Sequence, residues 1–290
     1  MSALARALRT PAGAFGLIVV GAIIVVALVS LVWTPFPPYT VDSTTRWASP
    51  SWPHLLGTDN TGRDILSLVM VGARTAILVA AGSAAIAVVF GLAMAILGAL
   101  TPRWVRESAA VLIDILVAFP VLLIAMMLSA VWGGSLWVVA VAVGLGFGVN
   151  IARVTRPELR RIAAGDFVLA ARASGLTGAQ TLRRHLLPNI VPILIVQVSW
   201  GMGVAVLAEA GLSYLGFGAS VTDPSWGLLL AELQKYISVH PLSVLWPGLA
   251  ITLAVLAFNL LGDALRDATD PTLTRGDRTG ALPQTPGVVA

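Results

Sequence analysis

Two sets of residues in this 290-residue chain have types and spacing suited to a job. The first is a basic stretch from Arg153 to Asn189, with Arg156, Arg160, Arg161, Arg172, Arg183, Arg184 and His185 inside it. The second is a pair of acids, Asp114 and Glu209, each set in a long apolar run. An ionisable group inside a membrane costs about 2.5–3.5 kcal/mol on insertion scales and is a functional candidate by default. Both acids are therefore candidates for lining a translocation path. Asp114 could instead pair with Arg153 or Asn150, and Glu209 could hydrogen-bond a neighbouring helix. Other chemistries lack their residues. The chain has no cysteine, and His54, His185 and His240 are far apart, so neither disulfides nor a metal cluster is expected. A phosphate-binding loop of the G-x4-G-K-[ST] type needs a lysine. The one lysine, Lys235, follows Glu-Leu-Gln. No catalytic residues are predicted.

The elements that must position these residues are spanning helices. Hydrophobic residues make up 57% of the chain and charged residues 11%, against roughly 25% charged in a soluble domain. The expected class is all-α, polytopic, with six transmembrane helices. A span needs about 20 largely apolar residues. The first is expected over about Gly13–Trp33, ended by Pro35, Pro37 and Pro38, and the second within Thr75–Pro102. The third begins near Ser108 and contains Asp114, and Gly133-Gly134-Ser135 separates it from the fourth. The fifth follows Pro192 to about Leu215 with Glu209 inside, and the sixth covers about Val244–Leu261.

Arginine asymmetry orients the set. With the amino terminus inside, the cytoplasmic segments hold Arg6, Arg9, Arg103, Arg106, Arg153, Arg156, Arg160, Arg161, Arg172, Arg183, Arg184, Arg266, Arg275 and Arg278. The outer side keeps Arg46, Arg63, Arg74 and Lys235. Fourteen against four predicts an inner-membrane, multi-pass protein with both termini cytoplasmic. A pI near 10 then reflects loop charge, and no nucleic-acid partner is expected. Trp33, Trp47, Trp52, Trp132, Trp137, Trp226 and Trp246 fall at span ends or in outer loops, where interfacial anchoring in lipid explains them. Glycines such as Gly82, Gly91, Gly98, Gly144, Gly146 and Gly148 suit close helix packing.

Within the basic stretch, Asp166 is expected to cap a helix over Phe167–Ser174, followed by a tight turn at Gly175. A second helical piece, Ala179–Leu187, ends against Pro188. Phe167, Ala170, Ala171 and Leu176 would form a small-residue apolar face suited to a partner's groove. The plainer reading is a positive-inside loop that only fixes topology.

The spacing Ala170-Ala171-x3-Gly175, then nine residues, His185-Leu186-Leu187-Pro188, resembles the EAA loop of binding-protein-dependent ABC importers. Leu169 stands where that pattern has glutamate, and His185 where it has isoleucine. Three further segments are similar to the C-type permease subunit of dipeptide, oligopeptide and nickel importers. They are His54–Asp64 before span two, Leu212–Gly218 with Pro224–Gly227 after span five, and Asn259–Asp267 with Asp270-Pro271 at the last helix.

The resemblance implies a type I ABC importer permease fold and a homologous permease partner forming a heterodimer. It also implies two ABC ATPase subunits beneath and an extracytoplasmic solute-binding protein. No cofactor is expected on this chain, and ATP and Mg would sit on the ATPase subunits. On this reading Asp166, Ala170, Ala171, Arg172, Gly175, Leu176, His185, Leu187 and Pro188 couple the chain to the ATPases. The expected organisation is an amino-terminal segment and first helix over 1–34, and an extracytoplasmic segment over 35–72. A permease core over 73–268 holds the coupling loop 153–189, and a disordered cytoplasmic tail covers 269–290. The expected cargo is short peptides, with nickel chelate or haem-like cargo as alternatives. A lone secondary transporter should show inverted repeats and broken helices, and a membrane enzyme a convergent catalytic set. Neither pattern stands out.

Overall fold

The computed structural model describes residues 10–220 and 223–269, apart from the side chains of Arg172 and Thr269. The disordered tail expected over 269–290 lies, from residue 270 on, outside the described residues. So do Arg6, Arg9, Arg275 and Arg278. Ten α-helices are described: α1 (Pro11–Ser30), α2 (Ile65–Leu100), α3 (Arg103–Val117), α4 (Val121–Trp132), α5 (Leu136–Ala163), α6 (Asp166–Ala173), α7 (Gly178–Thr181), α8 (Leu187–Tyr214), α9 (Trp226–Leu233) and α10 (Pro241–Thr269). The one β feature among the described residues is an isolated antiparallel bridge between Thr58 and Asp64.

Local chemistry explains the starts. Thr10 caps α1 through Gly13 N–H with Pro11 in the first turn, Asp64 caps α2 through Ser67 N–H, and Ser135 and Ser225 cap α5 and α9. Five continuous stretches are long and apolar enough to cross a membrane: α1, α2, α5, residues 178–214 and α10. α2 starts ten residues before the expected Thr75 and has 36 residues. At 1.5 Å per residue that is about 54 Å, well beyond a bilayer core of about 30 Å. α1 ends at Ser30, before the proline cluster.

The third crossing departs from expectation. Its helix begins at Arg103 rather than Ser108, and α3 and α4 meet at a bend of 82° around Phe119-Pro120. Pro120 has no N–H to continue the ladder of α3 and biases Phe119 away from helical geometry. The bent pair is nonetheless one crossing. α2 and α5 run parallel, since Gly82 packs at Ala140, Gly91 at Gly148 and Gly98 at Arg156. The chain between them must therefore return from the end of α2 to the start of α5, and only α3–α4 is available to carry it.

The α2–α5 seam is built from small residues at close range. A Cβ on Gly91 would lie 2.5 Å from the Gly148 carbonyl oxygen, and one on Gly144 would lie 2.8 Å from Ile86. Ser83 adds a bond across it by donating to the Ala140 carbonyl at 3.2 Å. α8, α10 and α1 pack on the other side of α2, around Ala76, Val206, Ala254 and Phe258. Trp226, expected at the membrane interface, is 3% exposed; its indole donates to the Val69 carbonyl and its ring occupies the space left by Gly72. It serves the core because α9 folds back between α2 and α8, which a span count cannot reveal.

Replacing Gly91 by leucine should drive α2 and α5 apart at a cost of about 1–3 kcal/mol, the usual penalty of overpacking. A lowered unfolding midpoint in detergent, with Gly91→Ala less affected, is the expected result. An unchanged midpoint for both would contradict the close seam.

Candidate functional site

The basic stretch divides differently from the sequence expectation. Residues 153–163 continue α5, with Pro157 inside the helix. Arg160 anchors this extension to the end of α2 by donating from Nη2 to the Gly98 carbonyl at 2.9 Å. The hairpin proper is α6, a turn, and the start of the next helix. Asp166 lies in the first turn of α6 rather than before it, with its carboxylate at the end where unpaired N–H groups favour negative charge. Gly175 sits at φ +87°. Leu176 N–H donates to the Ala171 carbonyl at 3.2 Å and Ser174 N–H to that of Ala170 at 3.0 Å. The first bond is the six-to-one closure of a Schellman motif, which needs a left-handed residue at this position.

Past the turn, Thr177 and Gln180 form a reciprocal capping box. The T-x-x-Q pattern announced it in the sequence. The helix does not stop at Pro188, as expected, nor begin again after Pro192. Five residues, Leu182–Leu186, form a π-turn, and the chain continues as α8 through both prolines to Tyr214. A wider π-turn relieves the clash that Pro188 would make with an earlier carbonyl. Residues 178–214 are thus one helical rod of 37 residues.

The hairpin is fixed to the membrane body by residues not singled out from the sequence. Val168 and Leu186 are buried in a cluster with Met94, Ala99, Leu159, Ile162 and Ile190. Ala171 joins this docked face at 9% exposure, and Leu176 and His185 are half-buried. The rest of the helix surface is open: Phe167 is 48% and Leu169 69% exposed, and Ala170 is exposed too, as is Pro188 at the start of α8. Phe167 and His185 approach with ring centroids 6.2 Å apart. Leu187 is half-buried, and for Arg172 only the backbone, in α6, is described. The apolar face expected from Phe167, Ala170, Ala171 and Leu176 is therefore split, with Ala171 turned inward.

The two acids have opposite surroundings. Glu209 is 1% exposed within the chain; Ser213, one turn on, donates to its Oε1 at 2.6 Å, and Ser225 at the start of α9 is its second hydroxyl neighbour. It faces no open path here and ties α8 to α9. Asp114 is exposed on α3, and no ion pair joins it to Arg153, while Asn150 donates to its own helix at Gly146.

At the other end of the molecule the segment before α2 is knotted by charge. Asp59, 1% exposed, accepts from the N–H of Thr61 and Arg63, the Thr61 hydroxyl and Arg63 Nε, while Arg63 Nη2 donates to Glu232 Oε2 at 2.7 Å. Burial pulls the Arg63 guanidinium down, but Asp59 and Glu232 outweigh it and hold it above the ordinary arginine value. Asp64 caps α2 while pairing with His54 Nδ1 at 3.0 Å. Glu232 was not picked out from the sequence, because its partner lies 169 positions away. Among the described residues no group of histidines and acids is placed to hold a metal ion.

A bundle of parallel and antiparallel spans with a short helix hung below it defines a membrane permease of the type I ABC importer fold. A solved structure of the MetNI methionine ABC transporter, inward facing, matches 71% of this chain and 98% of its own with a TM-score of 0.58 at 20% identity. The chain belongs to the family described as binding-protein-dependent transport system inner membrane component, which it matches over residues 87–275. It is 34% identical over 256 residues to the dipeptide transport system permease protein DppC of Alkalihalophilus pseudofirmus, covering 88% of this chain and 84% of the relative. It is 33% identical over 257 residues to the nickel transport system permease protein NikC of Escherichia coli, covering 89% and 93%. A peptide permease protein of Brucella suis is 34% identical over 268 residues, covering 92% and 89%.

Two substitutions test this geometry. Gly175→Val places a β-branched residue in the left-handed region, at a cost of about 1–2 kcal/mol, although a Cβ there meets no atom within 4 Å. Faster amide exchange over 170–180 is expected, with Gly175→Asn intermediate, and equal exchange in both would exclude a backbone origin. Arg63→Ala leaves buried Asp59 with only its hydroxyl and amide donors. A loss of about 3 kcal/mol, at the low end for a broken buried pair because Arg63 is partly exposed, should appear as protease sensitivity across residues 40–63.

Proposed function

We propose that this permease carries short peptides inward across the cell membrane in an ATP-driven complex. It forms the translocation path with a homologous permease subunit and is moved by two separate ATPase subunits, which bind ATP and Mg. A solute-binding protein delivers cargo from the outer side. Both termini face the cytoplasm, on the weight of the arginine distribution. The chain has no ATPase site of its own. Peptide cargo is favoured by the names of two of the three relatives; the nickel permease keeps nickel as the second reading.

The observation that carries the coupling role is the exposed apolar surface of α6. Phe167 and Leu169 stand exposed on a short helix that is rigidly rooted through Val168 and Leu186. Exposed apolar side chains on a held helix fit a groove in a partner. The Schellman turn and capping box keep the hairpin stiff, so a push on α6 would pass into the rod of residues 178–214. The transition is then a rigid-body rocking of helices around the path. Asp166, Ala170, Ala171, Arg172, Gly175, Leu176, His185, Leu187 and Pro188 are proposed to form or brace this contact, with Leu169 added to the set.

Deleting the subunit from its host should abolish growth on defined dipeptides as sole nitrogen source while sparing growth on ammonium. Leu169→Asp should reduce co-purification of the ATPase subunits at least tenfold and leave the partner permease bound. Growth on dipeptides without the subunit would remove the peptide reading. Retained ATPase in the Leu169→Asp complex would remove the docking role.

A further inference from the structure

We propose that Asp114 is the point at which the translocation path reads a positive charge on its cargo. The inference rests on the proposed importer function and deepens it by naming the chemistry selected within the membrane. At about 100° per residue, α3 divides into three faces. Ala109, Ile113 and Leu116 form the docked face, packed toward α2 and α5. Trp104, Val111, Leu112 and Ile115 form an exposed apolar face, the composition lipid requires. Arg103, Glu107, Ala110 and Asp114 fall within about 60° of one another on a third face.

Three of those four residues are charged. Arg103 and Glu107 form an exposed ion pair at 2.7 Å at the helix start. Asp114 continues their stripe two turns deeper. Its neighbour Ile113 is buried with Met94, Ala95, Val149 and Ala152, the last turns of the apolar runs before Thr101 and Arg153, at the hairpin end of the bundle. A bare carboxylate there is tolerable only against water or an opposite charge. The lipid-compatible face of α3 points elsewhere, so Asp114 is turned toward an aqueous route. With Glu209 sealed in the chain and Glu107 paired to Arg103, Asp114 is the unpaired acid of α3 that passing solute can meet. A fixed negative charge on that route favours a cationic group, such as a peptide's amino terminus, a lysine side chain or a metal cation, over an anionic one.

The test uses the whole complex in proteoliposomes, with binding protein and cargo saturating so that capture does not limit the rate. Maximal uptake of lysyl-alanine, alanyl-alanine, glutamyl-alanine and nickel is measured for the wild type, Asp114→Asn and Asp114→Glu. In Asp114→Asn the rate ratio of lysyl-alanine to glutamyl-alanine should fall at least fivefold, while Asp114→Glu keeps it and all three complexes retain both permeases. An unchanged ratio overturns the proposal. So does loss of the partner permease from the Asp114→Asn complex, which would make the carboxylate an assembly contact. If the wild type moves nickel and none of the peptides, the peptide reading falls on its own. The nickel rate then decides this one: a fivefold loss in Asp114→Asn supports it and no loss overturns it.

Discussion

Backbone-to-backbone approach between α2 and α5 is the constraint on which the rest of the molecule hangs. Glycines at 91, 144 and 148 let two long helices lie side by side in the same direction, close enough that a single added methyl would meet a carbonyl oxygen or a side chain. In lipid there is no hydrophobic force pulling helices together, so such contact, with its dispersion and weak polar bonds, is what holds them. Parallel neighbours cannot be joined by a short loop. The intervening chain has to recross the bilayer, and it does so through a bent pair, α3–α4, hinged at Phe119-Pro120. The bend, the exposure of the polar face of α3 and the placement of the hairpin beneath α5 all follow from that one seam.

Two acids of the same family of side chain, each in an apolar run, end in different environments for reasons of packing. Glu209 lies where α9 folds back against α8, and the hydroxyls of Ser213 and Ser225 supply its hydrogen-bonding needs. Asp114 lies on a helix that touches the body along only one of its faces. A buried polar group with satisfied bonds locks two elements together. An exposed one without intramolecular partners leaves its energetic cost to be met by water, cargo or a second chain.

Much of this was legible in the sequence. Composition and apolar run length gave the membrane class, and the glycine turn at 175 was readable because few residues other than glycine adopt that geometry. The Gly133-Gly134-Ser135 break fell where α4 yields to α5. Proline misled in both directions. Pro188 was read as the end of one helix and Pro192 as the point after which the next begins, yet a π-turn carries the helix past Pro188 and α8 runs on through Pro192. Pro120, which was not read as a break, is where the crossing bends. Whether a proline stops a helix depends on partners for the freed carbonyls, and tertiary packing decides that. Long-range pairs such as Arg63 with Glu232, and the burial of Trp226 behind Gly72, depend on contacts over 150 residues apart in sequence. No local pattern encodes them.

The continuity of residues 178–214 bears on how a push from below could be felt above. A rod of 37 residues is about 55 Å long at 1.5 Å per residue, so its far end, carrying Glu209 and Ser213, is mechanically joined to the capping box at Thr177. Its softest point is the π-turn at Leu182–Leu186, whose wider ladder is the feature most able to absorb strain. That turn lies just inside the hairpin and just before Ile190, which is buried against the body. On the proposed mechanism, displacement of α6 is therefore divided between local distortion of the π-turn and movement of the whole rod. Stiffness at Leu182–Leu186 sets how much reaches the outer face. The prolines that follow remove hydrogen bonds from α8 without bringing it to an end, so the rod can flex at its inner third while the glycine-lined upper part stays packed against α10.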